Sequence, residues 1–312
     1  MKKTLSICLL FSSLSGYSYD FSAENSLFAE REKRDDGGVL QQDASYEKAT
    51  EARKAYEQVL TRSDLTEDER VYASSQMFRL DLFRGGMLEA VNIRTRQAAL
   101  DECIAAVKQL ESTGRQEYYY YKMACMASRG KISDEAKKFQ LAKQIREYIE
   151  KALDSSKKQD GALVGGYEGG GVLRIYGAVK GNLKARPLQG LGMFDPADAL
   201  VKIDLALATR SMENPPFPAM TGQEYFENAY YKGMAQITLG VIDEQKDFVG
   251  NALDTLDEAI TTITDLESLD SLPKGREPET RYYKGTMIKV RDLAKTCLEQ
   301  AEWTECLVKA LK

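Results

Sequence analysis

From about residue 44 almost to the C-terminus, apolar residues recur at helical spacing in two alternating patterns. VYASSQMFRLDLFRG (71–85), YYYYKMACMASRG (118–130), NAYYKGMAQITLG (228–240) and RYYKGTMIKVRD (281–292) share an aromatic start followed by small or apolar residues, and three of the four close on glycine. Between them lie RQAALDECIAAVKQLE (96–111), LAKQIREYIEKAL (141–153), DALVKIDLALATRSM (198–212) and GNALDTLDEAITTITDL (250–266), in which Ala or Leu returns every three or four residues. That period belongs to helices, and runs of alternating Val, Ile and Thr, the mark of half-buried strands, are missing. The expected fold is all-α: hairpins of an A-type and a B-type helix, stacked as a solenoid or a compact helical array.

Local signals divide the chain further. A helix over 45–61 places Ala49, Ala52, Tyr56 and Val59 or Leu60 on one side, and Thr66 with Glu69 forms a capping box that opens a second helix, which ends near Arg84 at Gly85-Gly86. Residues 19–43 read as a loose polar lead, and residues 44–312 as a single repeat domain. The alternating helices resemble tetratricopeptide repeats. AYYKGMAQITLG (229–240) is the nearest match, with Gly233 where such repeats carry a small residue and Gly240 at the helix end. Successive A-type segments recur about every 50 residues instead of about 34, so longer loops between helices are expected.

The start of the chain, MKKTLSICLLFSSLSGYSYD, carries Lys2 and Lys3, an apolar run from Leu5 to Leu14, and small residues Gly16 and Ser18 ahead of Tyr19. This is the pattern of a secretory signal peptide over 1–18, too short in its apolar part to be the roughly 20-residue span of a membrane helix. Cys8 lies inside the apolar run after a bulky Ile7, so no lipid anchor is expected. The address that follows is the periplasm or the medium.

Composition narrows the chemistry. The formal net charge is -5, and loss of Lys2 and Lys3 makes the mature chain more acidic still, which disfavours nucleic acid as a partner. There is no histidine, which removes His-based triads and the commonest metal ligand; no metal or cofactor is expected. Four cysteines remain beyond the signal, an even number that suggests disulfides in an oxidising compartment. Cys103 and Cys125 stand equally far from Gly114, and Cys297 and Cys306 flank Ala301, so hairpin symmetry pairs Cys103 with Cys125 and Cys297 with Cys306.

One stretch breaks the pattern. GGYEGGGVLRIYGAVKGN, Gly165 to Asn182, holds seven glycines although each costs about 1 kcal/mol in a helix interior. It contains neither a dinucleotide nor a P-loop motif and follows no strand. On a helix, Gly166, Gly170, Leu173 and Gly177 share one face and would admit a second helix at close range. The expectation is a helix, continuous or broken, with Arg174 directed at a cleft where a protein or ligand carboxylate meets it.

GGGVLRIYGAV, then ARPLQGLGMFDPADALVKIDLALA, ENAYYKGMAQITLG and NALDTLDEAI, resemble the T components of tripartite ATP-independent periplasmic transporters. Gly171, Arg174 and Gly177 match a recurring Gly-Pro-x-Arg-x-x-Gly pattern, with Val172 in place of proline, and the resemblance spans Gly165 to Ile260. It implies a helical repeat fold with a cleft or pore and partnership with a periplasmic solute-binding protein. It also implies a hydrophobic organic acid as ligand.

The candidate binding residues are Arg174, Gly170, Gly171 and Gly177, together with one tyrosine from each aromatic start, Tyr120, Tyr231 and Tyr283, whose ring and hydroxyl suit peptide or organic ligands. A binding or scaffold module, not an enzyme, is the leading expectation. A structural subunit of an envelope assembly is the alternative, and a homo-oligomer is compatible with either. A carboxylate hydrolase using Asp195 with Asp198, or Glu224 with Glu227, is the weaker reading, because acids at helix N-termini ordinarily complement the dipole.

Overall fold

A computed structural model describes residues 19–160, 167–209 and 220–311. Residues 1–18, expected to be a signal peptide, and Gly165 and Gly166 lie outside the described residues. In chain order the helices are α1 (Ser22–Ala29), α2 (Gln42–Leu60), α3 (Glu67–Leu82), α4 (Ile93–Ala106), α5 (Gln116–Lys131), α6 (Glu135–Asp160), α7 (Tyr167–Lys180), α8 (Pro196–Leu207), α9 (Glu227–Asp243), α10 (Lys246–Ser268), α11 (Glu277–Leu298) and α12 (Trp303–Leu311). Among the described residues there is no strand, only an isolated bridge between Arg34 and Leu40. The fold is all-α. Helices adjacent in the chain pack as hairpins: α2 on α3, α5 on α6, α7 on α8 and α9 on α10.

Two environments result, although they do not follow the two sequence patterns throughout, since α11, led by an aromatic segment, buries only a stripe. α10 buries Val249, Ala252, Leu256, Ala259, Ile260 and Ile263, a stripe at three- and four-residue spacing with polar residues opposite, so it covers the array from outside. α3 instead buries every residue from Val71 to Asp81, and α7 every residue from Tyr167 to Gly177. Helices enclosed on all sides must bury their polar side chains as well, and those side chains then need internal partners.

Local chemistry sets the helix ends. The capping box is present: the Glu69 N–H donates to the Thr66 hydroxyl at 3.3 Å and the Thr66 N–H donates to the Glu69 carboxylate at 2.7 Å. Asp195 caps α8, with Pro196 pre-set at its first position. The glycines expected to stop α3 form a π-helical turn, Phe83–Met87. Gly85 is required there, since a Cβ would stand 2.4 Å from Leu100 Cγ and 2.9 Å from the Arg96 carbonyl oxygen.

The lead over 19–43 is a correction: it is ordered and partly helical. Phe21 and Phe28 are buried in the core, and Asn25 Oδ1 accepts hydrogen bonds from Tyr56 (2.6 Å) and Tyr72 (2.7 Å). Arg31, fully buried, donates to the Gly275 carbonyl (3.0 Å) and to Glu279 (2.6 Å), and Arg281 pairs with Glu32 at 2.7 Å. The segment just after α1 therefore lies against the start of α11, so the array curls back on itself. A polar segment with two well-spaced phenylalanines reads as loose in sequence because its partners lie from 31 to 248 residues away, none of them at helical spacing.

Both cysteine pairs form. Cys103–Cys125 joins α4 to α5 with Cα atoms 6.0 Å apart, and Cys297–Cys306 joins α11 to α12 at 5.4 Å. Among the described residues no helix is long and apolar enough to cross a membrane. Both features are compatible with a secreted or periplasmic protein.

Candidate functional site

The glycine-rich segment starts with a left-handed turn and continues as a right-handed helix. Glu168 (φ 51°), Gly169 (φ 58°) and Gly170 (φ 79°) are left-handed, and the regular helix follows. The glycines answer to space as well as to conformation. A Cβ at Gly170 would stand 2.6 Å from Ala206 Cα, one at Gly171 2.7 Å from the Tyr120 ring, and one at Gly177 2.2 Å from Ile203 Cγ1. Gly170 and Gly177 thus let α7 lie directly on α8, and Gly171 seats Tyr120. They are packing positions buried inside the array, not ligand contacts.

Glu168 is the anomaly, a buried carboxylate on a left-handed residue, and such strain persists only where neighbours over-determine it. Two arginines do so. Arg276, just ahead of α11, donates to Glu168 at 2.7 Å and makes a short contact to Glu227 of α9. Arg174 donates to the carbonyl oxygens of Glu168 (2.9 Å) and Gly169 (3.4 Å), to Asn228 Oδ1 (3.2 Å) and to the Tyr120 hydroxyl (3.3 Å). Asn228 returns a bond to the Gly169 carbonyl at 3.0 Å. Tyr225 is flanked by both guanidiniums, Arg276 at 4.6 Å and Arg174 at 5.1 Å from its ring centroid.

Arg174 therefore differs from its expected role. It is 3% exposed, and its partners are carbonyls, an amide and a phenol inside the protein, so it holds the left-handed turn in place instead of facing an open cleft. The ion cluster extends through Glu279. Burial pushes that carboxyl upward, but Arg31, Arg276 and Arg79 together overcome it and hold it below the ordinary carboxylate range.

Tyrosines from α9 and α11 form a second cluster next to this one. Tyr230 and Tyr231 meet edge to face at 5.0 Å, Tyr230 and Tyr283 lie 5.5 Å apart, and the Tyr231 and Tyr283 hydroxyls are 3.2 Å apart. Tyr282 meets Tyr283 at 5.4 Å and donates to Glu89 at 3.1 Å. Lys131, exposed at the end of α5, holds its ammonium 5.9 Å from the Tyr231 ring centroid. Glu227 joins the two layers: it pairs with Arg276 and its charge acts on the Tyr283 phenol, which burial, Tyr231 and then Glu227 hold well above the ordinary range.

The expected choice of surface tyrosines needs correction. Tyr120 and Tyr231 are each 8% exposed and pack inward, whereas their neighbours Tyr119 and Tyr230 are the half-buried members; Tyr283 is half-buried as expected. The direction of each pair depends on the phase of the helix against its neighbours. The acidic pairs are dispersed among separate duties: Asp195 caps α8, Asp198 accepts from Tyr176, Glu224 accepts from the Thr221 N–H at 2.5 Å, and Glu227 pairs with Arg276.

Sequence reasoning missed Glu168, Asn228, Tyr225, Arg276, Lys131 and Glu89. Only Glu168, a lone acid among glycines, carried a usable signal. Among the described residues no cluster of three or more His, Cys, Asp or Glu could hold a metal ion. Fold and site together define a helical-hairpin array whose enclosed helices share a buried arginine–glutamate centre beside a partly open tyrosine cluster. No family model, no curated protein and no solved structure matches the chain.

Proposed function

We propose that this chain is a tetratricopeptide-like binding protein of the periplasm or medium that holds a small organic acid at the tyrosine cluster of α9 and α11. One observation carries the reading: half-buried Tyr230, Tyr282 and Tyr283 are joined by a tilted and an edge-to-face ring contact around Tyr231, whose ring the Lys131 ammonium meets at 5.9 Å. Tyrosine rings offer apolar area at little entropic cost, and an ammonium supplies the counter-charge for a carboxylate. The buried Arg276–Glu227 contact beneath them fixes α11 against α9, so the platform is in place before a ligand arrives. The resemblance to transporter T components suggests a periplasmic solute-binding protein as the partner that delivers or receives the ligand.

Native mass spectrometry of protein purified from its own compartment, together with calorimetric titration of aromatic carboxylates, tests the reading. Binding should fall at least about tenfold in Tyr283→Ala and in Lys131→Met. Undiminished binding in both variants would overturn it.

A further inference from the structure

We infer that the ligand of the tyrosine cluster is a zwitterion, with its anionic end at Lys131 and its cationic end at Glu89, the two charges held apart by an apolar body. This rests on the proposal that the cluster is a ligand site and adds the second charge.

Glu89 is placed with care. It follows the π-helical turn Phe83–Met87, whose Arg84 is buried against Asp81 (2.6 Å) and Glu102 (3.0 Å). Arg96 donates to the Gly85 carbonyl at 3.0 Å and to the carbonyl of Glu89 itself at 3.2 Å. The backbone at Glu89 is thus tied to α4 while its carboxylate stays exposed. The Tyr282 hydroxyl, 193 positions along the chain, donates to that carboxylate at 3.1 Å.

Among the described residues, Glu89 forms no ion pair, and neither does Lys131. Yet both charges act on the same rings. Burial raises the Tyr230 phenol to about 12, with Lys131 pulling it down and Glu89 pushing it up. Tyr282 is raised by burial under the same opposed pair. Opposite charges that share two tyrosines without pairing present one pole each to whatever lies on those rings. A ligand with a single charge desolvates one of these groups with nothing in exchange, whereas a zwitterion answers both, and its ammonium also meets tyrosine faces.

The test is calorimetric titration of the full mature chain with three molecules of one shape: para-aminomethylbenzoate, para-methylbenzoate and para-methylbenzylamine. Phenylalanine, phenylpropionate and phenethylamine form a second set with closer charges. The zwitterion of at least one set should bind at least about tenfold more tightly than either single-charge analogue. Glu89→Gln keeps an acceptor for Tyr282 and should bring the acid-only analogue level with the zwitterion; Lys131→Met should do the same for the amine. If the acid-only analogues bind wild-type protein as tightly as the zwitterions, or Glu89→Gln leaves the ratio unchanged, the second charge is refuted while the ligand site stands. If no member of either set binds, both proposals fall.

Discussion

Replacing Gly170 by alanine isolates what the left-handed turn contributes. The residue has φ 79°, where a side chain on an L-residue costs about 1–2 kcal/mol. The added Cβ would also lie 2.6 Å from Ala206 Cα and 3.1 Å from its carbonyl oxygen, atoms of the α8 backbone that cannot rotate away. Overpacking of this kind costs about 1–3 kcal/mol, so the total loss is about 2–5 kcal/mol. Gly177→Ala is the internal control. It lies in right-handed helix, where alanine gains about 1 kcal/mol over glycine, and its Cβ meets Ile203 side-chain atoms at 2.2 and 2.4 Å, which can change rotamer. Its net loss is about 0–2 kcal/mol once that gain offsets a similar overpacking cost. Urea unfolding followed by far-UV circular dichroism, with disulfides intact, measures both. If Gly177→Ala loses as much as Gly170→Ala, or the Gly170→Ala midpoint matches wild type, the account of the turn is wrong.

Arg174→Met strands the Glu168 carbonyl and Asn228 Oδ1 in a buried site and should destabilise by about 2–4 kcal/mol at the cost of an orphaned acceptor each; an unchanged urea midpoint would show that the turn does not depend on it. Glu279 has a folded pKa below its unfolded value, so its contribution is present above the unfolded value and is lost as pH falls through the folded one. The stability gap between wild type and Glu279→Gln should accordingly close on acidification, and a gap independent of pH between neutral and strongly acidic conditions would contradict the pairing with Arg31, Arg276 and Arg79. Closing the Cys103–Cys125 loop, 22 residues in sequence, should stabilise by about 3 kcal/mol in the chain-entropy model. Thiol titration of the unreduced, denatured protein lacking residues 1–18 should find no free cysteine, and Cys125→Ser should be less stable than wild type.

What the sequence by itself determined is everything carried by short-range periodicity and chain reversal. The stripe of α10, the Thr66–Glu69 box, the helical character of the aromatic-led segments and the hairpin partners Cys103–Cys125 and Cys297–Cys306 all involve residues whose relation follows from helix pitch and nearby turns. The close approach of Gly177 to a neighbouring helix was legible for the same reason, whereas Gly170 lies in a left-handed turn that helix pitch did not foretell. Tertiary structure alone decided which charges meet. Glu168 and Arg276 are 108 positions apart, Arg31 and Glu279 248, and Tyr282 and Glu89 193. No local period encodes those distances. They arise when the array curls and α11 closes on the segment after α1, and burial then forces every enclosed charge to find whichever partner the packing brings within reach. That is why Arg174, read in sequence as a residue awaiting a ligand, is in the fold the clamp on a left-handed turn, and why Lys131 and Glu89, unremarkable in sequence, stand at Tyr231 and Tyr282 of one tyrosine cluster.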